Sequence, residues 1–125
     1  MNKATTNGYV YVFSNKWFKR LFKIGSTTNV SQRRASLGRT SVPDDYEIVF
    51  TLNVTNYKNA EKTVQQMLNL YRYAPNKEFF GATKIDIKKV LINVAKLTGG
   101  IIHEYQGNKK IQIYPKIKIS SQKHP

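Results

Sequence analysis

The residues with chemistry to offer come in an ordered series. Gly8-Tyr9-Val10-Tyr11 is followed by Asn15, by Lys23-Ile24-Gly25, by Arg33 eight residues after that glycine, by Glu61, and by Asn76 fifteen residues further on. By type these are a phenol, an ammonium, a guanidinium and a single carboxylate, a set suited to attack of water on a phosphodiester. That reaction needs a nucleophile near neutral pH, neutralisation of the charge developing on phosphate, and help for the leaving oxygen. One Glu can hold a Mg²⁺ ion that keeps several waters, which makes a second carboxylate unnecessary. A planar guanidinium grips phosphate through two hydrogen bonds, which an ammonium cannot do. Tyrosine is a poor base at its ordinary pKa of about 10. A neighbouring ammonium favours the phenolate, so Lys23 is expected either to tune Tyr11 or to accept the water's proton itself.

Each of these residues also has a plain structural explanation. Tyr9 and Tyr11 fall on one strand face and on propensity alone are core aromatics. Gly25 either ends a strand or leaves room for a substrate backbone. Lys23 and Arg33 are two of 21 basic residues. Glu61, read as lying in the first turn of a helix, is accounted for by the helix dipole. Glu78 is the second choice as a metal ligand and equally a salt-bridge partner. His103 and His124 read as surface residues.

Charge narrows the partners. Lys plus Arg number 21 and Asp plus Glu 7, a formal net charge of +14. A field of that sign attracts polyanions, and nucleic acid is the usual one, because each neutralised phosphate releases a counterion. No small-molecule cofactor is implied, and no stretch has the length and apolarity of a membrane span. The polar run Met1–Asn7 lacks the apolar core of a signal peptide, so the expected location is the cytoplasm or the inside of a phage-infected host cell. Cysteine is absent, which excludes disulfides and thiolate zinc sites. A chain of 125 residues, 40% of them apolar, is long enough for one self-sufficient core.

The elements that must position the series follow from patterning. Gly8–Ser14 and Leu21–Gly25 read as two strands close enough to pair antiparallel, with Asn15 and Lys16 in the turn. Trp17 and Phe18, at that turn, are expected to pack against the domain, the other option being to stack on or wedge between bases. Asn29 reads as the cap of a helix over residues 30–37 that carries Arg33 and Arg34 and stops at Gly38. Tyr46–Val54 alternates as a third strand. Asn56 or Asn59 caps a second helix with the apolar stripe Ala60, Val64, Met67, Leu68 and Tyr71, ended by Pro75. Asn76–Phe80 reads as a turn or short extended piece, and Ile85–Leu97 as a third helix closed by Gly99 and Gly100. The expectation is an α+β fold, β-β-α-β-α-α, with a small three-stranded antiparallel sheet flanked by helices. Residues 1–100 form the domain and 101–125 a basic, β-like extension. Within that extension Ile111–Ile119 reads as an edge strand, and the lysines of the tail either grip DNA or keep that edge soluble.

With its elements in this order, the series resembles the GIY-YIG nuclease superfamily, and most closely its compact phage-type branch, in which the second motif reads KIG. The resemblance covers Gly8 to Phe80. It implies that Tyr11 activates or orients the attacking water, Arg33 contacts phosphate, Glu61 binds a Mg²⁺ or Mn²⁺ ion, and Asn76 braces the site. Lys23 stands where many members have a second tyrosine, and Leu37 where some have histidine. Gly25, Lys19, Arg20, Arg34 and Lys77 are assigned to nucleic-acid contact, with Arg34 about 100° around the helix from Arg33. The function expected is a metal-dependent endonuclease, acting on DNA, of modest sequence specificity unless it forms a homodimer or joins other proteins. The alternative is a non-catalytic nucleic-acid-binding module that keeps the fold.

Overall fold

A computed structural model describes residues 7–37, 46–73 and 78–115. The chain runs β1 (Asn7–Asn15), β2 (Phe22–Thr27), α1 (Val30–Leu37), β3 (Tyr46–Thr55), α2 (Tyr57–Met67), a 3₁₀ turn (Asn69–Tyr71), β4 (Phe79–Phe80), α3 (Lys84–Thr98), β5 (Ile101–Gln106) and β6 (Lys109–Tyr114). The α+β class is as expected. The sheet is larger than expected, with six strands in the order β4-β2-β1-β3-β5-β6 where three were predicted, all pairs antiparallel.

Three strands extend the sheet beyond the three predicted, each for its own reason. β4 is two residues long and has no pattern of its own; it exists because Phe80 and Phe79 pair with Phe22 and Lys23 of β2. β5 follows Gly99 and Gly100 directly and was read as part of a tail. β6 begins at Lys109, ahead of the predicted Ile111, because Gly107 (φ 60°) and Asn108 (φ 66°) turn β5 back on itself. Two successive residues at positive φ make the tight hairpin turn whose twist matches that of the strands. What was expected of Gly38, Pro75, His124 and the Lys116–Ile119 stretch lies outside the described residues.

Strand alternation gives the sheet two unlike faces. One buries Val10, Val12, Ile24, Phe50, Leu52 and Val54 beneath α2 and α3, which supply Tyr57, Ala60, Val64, Leu68, Ile87, Leu91 and Val94. The α2 stripe is shorter than predicted. Met67 and Tyr71 are largely exposed, because the helix ends at Met67 and tightens into the 3₁₀ turn. The Thr83 hydroxyl caps α3 by accepting from the Asp86 N–H. Asn29 caps α1 as expected, its Oδ1 accepting from the Gln32 N–H at 3.0 Å. The second face carries a small cluster, Tyr11, Phe13 and Ile48, covered in part by Val30 and Leu37 of α1. Tyr11 and Phe13 stack with centroids 4.2 Å apart.

The β5–β6 hairpin is tied back by charge. Buried Glu104 pairs with Lys84 and Lys88 of α3 at 3.3 and 3.2 Å and accepts a hydrogen bond from the Tyr114 hydroxyl. Burial acts to raise the Glu104 carboxyl, but the bonds from Lys88, Tyr114 and Lys84 outweigh it and hold the group below the ordinary carboxylate value. Among the described residues no helix is long and apolar enough to cross a membrane.

Candidate active site

The site is organised around a missing side chain. In the β1–β2 ladder Tyr11 stands directly opposite Gly25, and Phe13 opposite Lys23. Tyr11 and Lys23 therefore share a sheet face, and the bareness of Gly25 lets the phenol lie across β2. A Cβ at position 25 would stand 2.6 Å from Tyr11 Cζ and 2.8 Å from Glu78 Oε1. Of the two readings of Gly25, close approach is the one the geometry supports, although what approaches is the protein's own phenol and carboxylate.

Three charged side chains converge on that phenol. The Tyr11 hydroxyl donates to Glu78 Oε1 at 3.3 Å and accepts from Arg33 Nε at 3.3 Å. The Lys23 ammonium lies 3.2 Å from the same Glu78 oxygen and 4.9 Å from the centre of the Phe79 ring. Glu78 is held where it is by its own backbone, whose carbonyl accepts from the Ile24 N–H at 2.8 Å as β4 begins. Tyr11 is 1% exposed. Burial pushes its hydroxyl up to about 12; Arg33's hydrogen bond pulls the other way and Glu78's charge adds to the rise. Of the two roles expected of Lys23, lowering the phenol does not fit this raised value, and the lysine's ammonium is paired with Glu78 instead. Arg33 is raised above its ordinary value, first by its bond to Tyr11, and stays a cation.

Glu61 is the fifth residue of α2, beyond the first turn, so the helix dipole does not account for it. Its Oε1 accepts from Ser26 Oγ at 2.5 Å and its Oε2 from Gln65 Nε2 at 3.1 Å. Gln65 also donates to the Ile24 carbonyl at 2.8 Å. β4 pairs with two residues of β2, Phe22 and Lys23, and the carbonyl of the next residue, Ile24, takes this amide. Glu61 is thus anchored through the residues on either side of Gly25, Ile24 and Ser26. Alternation turns Ser26 toward the helix side of β2. Glu61 therefore reaches β2 from the α2 side, and among the described residues it makes no hydrogen bond to Tyr11, Lys23 or Arg33.

Tyr11, Lys23, Gly25 and Arg33 are brought together, whereas Glu61, on α2, meets β2 from the other face of the sheet through Ser26. Glu78, weighed only as a second-choice ligand or salt-bridge partner, is the carboxylate that joins the phenol to the lysine. Its signal was an acid next to the Phe79-Phe80 pair that docks on β2. Ser26 and Gln65 were not anticipated; Gln65 stands one helical turn after Glu61, a spacing visible in the sequence. Asn76 and Lys77 lie outside the described residues. Arg34 gives Nη1 to the Tyr46 carbonyl at 2.9 Å, which ties α1 to the start of β3. Lys19 and Arg20 are exposed between β1 and β2, as are Trp17 and Phe18, contrary to the packing expected of those two.

Among the described residues no three His, Cys, Asp or Glu side chains cluster as a metal cage. The donors at β2 fit one kind of ion. A lone half-buried carboxylate with a hydroxyl beside it suits a hard cation such as Mg²⁺ that keeps most of its waters. No curated protein and no solved structure matches the chain. Residues 8–95, from β1 into α3, match the model of the T5orf172 domain, and the chain belongs to that family, one associated with GIY-YIG-like and phage nuclease-type domains.

Proposed function

We propose that the chain is a metal-dependent endonuclease that hydrolyses phosphodiester bonds, in DNA. The observation that carries this reading is the buried phenol held between the Arg33 guanidinium and the Glu78 carboxylate, opposite a glycine that gives it room. A core tyrosine needs neither a cation nor an acid on its hydroxyl. The family's association with nuclease-type domains and the +14 charge support the same reading.

The residues divide the work by chemistry. Arg33 is half-buried and uses Nε on Tyr11, so its two terminal nitrogens are positioned to hold non-bridging phosphate oxygens. Tyr11 is a proton carrier rather than a standing phenolate. As water attacks phosphorus, its proton passes to the Tyr11 oxygen while the Tyr11 proton passes to Glu78. The bond from phosphorus to the leaving oxygen breaks, and that oxygen takes a proton from solvent. Lys23 balances the charge on Glu78 and holds the carboxylate against the phenol. Glu61, with Ser26 beside it, would hold a Mg²⁺ or Mn²⁺ ion, and that ion would supply Lewis acidity.

The test uses supercoiled plasmid with Mg²⁺, and EDTA as the control. Nicking in Mg²⁺ alone, lost by at least about 10²-fold in Glu61→Gln and in Tyr11→Phe, is the expected result. Salt-sensitive binding without nicking by the intact chain overturns it.

A further inference from the structure

The sheet face that carries Tyr11 is only partly covered by α1, and beside the phenol it opens into a cleft of about 590 Å³, a volume usual for a small-ligand site. Tyr9, Asn53, His103, Tyr105, Asn108 and Lys110 line it, together with the turn into α1. It adjoins the proposed active site through the sheet itself. Tyr9 lies two residues from Tyr11 on the same face, about 7 Å along the strand. Thr51 stands opposite both Tyr11 and His103, and its hydroxyl is 3.4 Å from that of Tyr105.

The lining is chemically particular. Tyr9 and Tyr105 are aromatic. Asn53 donates through Nδ2 to the Gly8 carbonyl, so its Oδ1 has no partner among the described residues. Asn108 accepts through Oδ1 from the Ile48 N–H, so its amide N–H groups have none. One acceptor and one donor are thus held in place by bonds on their opposite ends. His103 is lowered by burial and by Lys110, so its ring stays neutral and offers both a donor and an acceptor. Lys110 adds a cation, and among the described residues no carboxylate lines the cleft. A planar, hydrogen-bonding group that carries an anion is the ligand these features match. The second wall also lies outside the family match, which ends at residue 95, whereas His103, Tyr105, Asn108 and Lys110 belong to the β5–β6 hairpin.

We propose that this cleft receives one unpaired nucleotide next to the phosphate that is cut, with its base among Tyr9, Asn53, His103 and Tyr105 and a flanking phosphate at Lys110. A base stacked and paired inside a duplex cannot enter such a pocket unless it is extruded. The preferred substrate is therefore nucleic acid with unpaired or easily extruded bases, and the hairpin beyond the family segment sets that preference. The cutting part rests on the nuclease reading above; the binding part does not.

The experiment separates the two. The full-length Glu61→Gln chain in EDTA is titrated with oligonucleotide duplexes, of DNA and of RNA, that are fully paired or carry a single unpaired 2-aminopurine. The expected result is binding at least about tenfold tighter to the unpaired form, with a change in 2-aminopurine emission. His103→Ala and Asn53→Ala should each reduce that preference to under about threefold and leave affinity for the paired duplex within about twofold, with thermal melting checked for both. Equal affinity for the two forms, or a preference that survives both substitutions, overturns the proposal, and the DNA and RNA arms show which sugar the cleft accepts. With the unaltered chain and Mg²⁺, cutting without preference sinks the cleft and spares the nuclease. Preference without cutting does the reverse.

Discussion

A methyl group on residue 25 would press against the Tyr11 ring at 2.6 Å and Glu78 at 2.8 Å, both of them side chains fixed by other bonds. Gly25→Ala should therefore cost about 1–3 kcal/mol of stability through overpacking. It should slow nicking by about 10²-fold, since a displacement of about 1 Å at the reacting groups has that effect; a urea titration and a plasmid assay measure the two. The phenol makes a second, independent prediction. Its folded-state value of about 12 lies above the ordinary 10.0. The protonated form is thus favoured by folding, and the stability it confers is complete below pH 10 and lost as pH rises toward 12. Melting temperature should fall more steeply over that range in the unaltered chain than in Tyr11→Phe. At this scale the sequence was informative about which residue types to watch: Tyr11, Lys23, Gly25 and Arg33 do meet. It was silent about who neutralises whom. The partner of Lys23 turned out to be Glu78, 55 positions away and brought in by a strand too short to carry a pattern.

The elements show why some parts were legible and others were not. β1, β2, β3 and α3 each extend over enough residues for alternation or helical spacing to register, and they appear within a few positions of where patterning put them. β5 and β6 were legible too, and were underread. Ile101–Gln106 and Lys109–Tyr114 alternate on either side of Gly107-Asn108, a pair suited to a two-residue turn. The density of lysines and the proline at 115 point to a single edge strand over Ile111–Ile119 rather than to a hairpin that extends the sheet. Asn108 does two jobs there. It tolerates φ 66°, and its side chain accepts from the Ile48 N–H at 2.9 Å, which fastens the hairpin turn to β3. Asn108→Ala should destabilise by about 2 kcal/mol, combining backbone strain with a lost hydrogen bond. Asn108→Gly, which relieves the strain, should cost about half as much. Chemical denaturation of the two variants tests the order as well as the size.

For the whole molecule, charge and sheet edge set the behaviour. A net charge of +14 makes any nucleic-acid complex dependent on counterion release. If about six phosphates are contacted, affinity should drop on the order of 10³-fold between 50 and 200 mM salt, and a binding isotherm series at rising salt measures it. A flat response would mean that the charge serves something else. One feature of β2 has a wider reach. Beyond the two residues of β4, the Gln65 amide bonds to the Ile24 carbonyl of β2, and the same amide steadies Glu61. A single side chain thus ties the carboxylate of α2 to the strand that carries Gly25. Gln65→Ala removes both bonds at once and, among the described residues, leaves Glu61 held by the Ser26 hydroxyl alone.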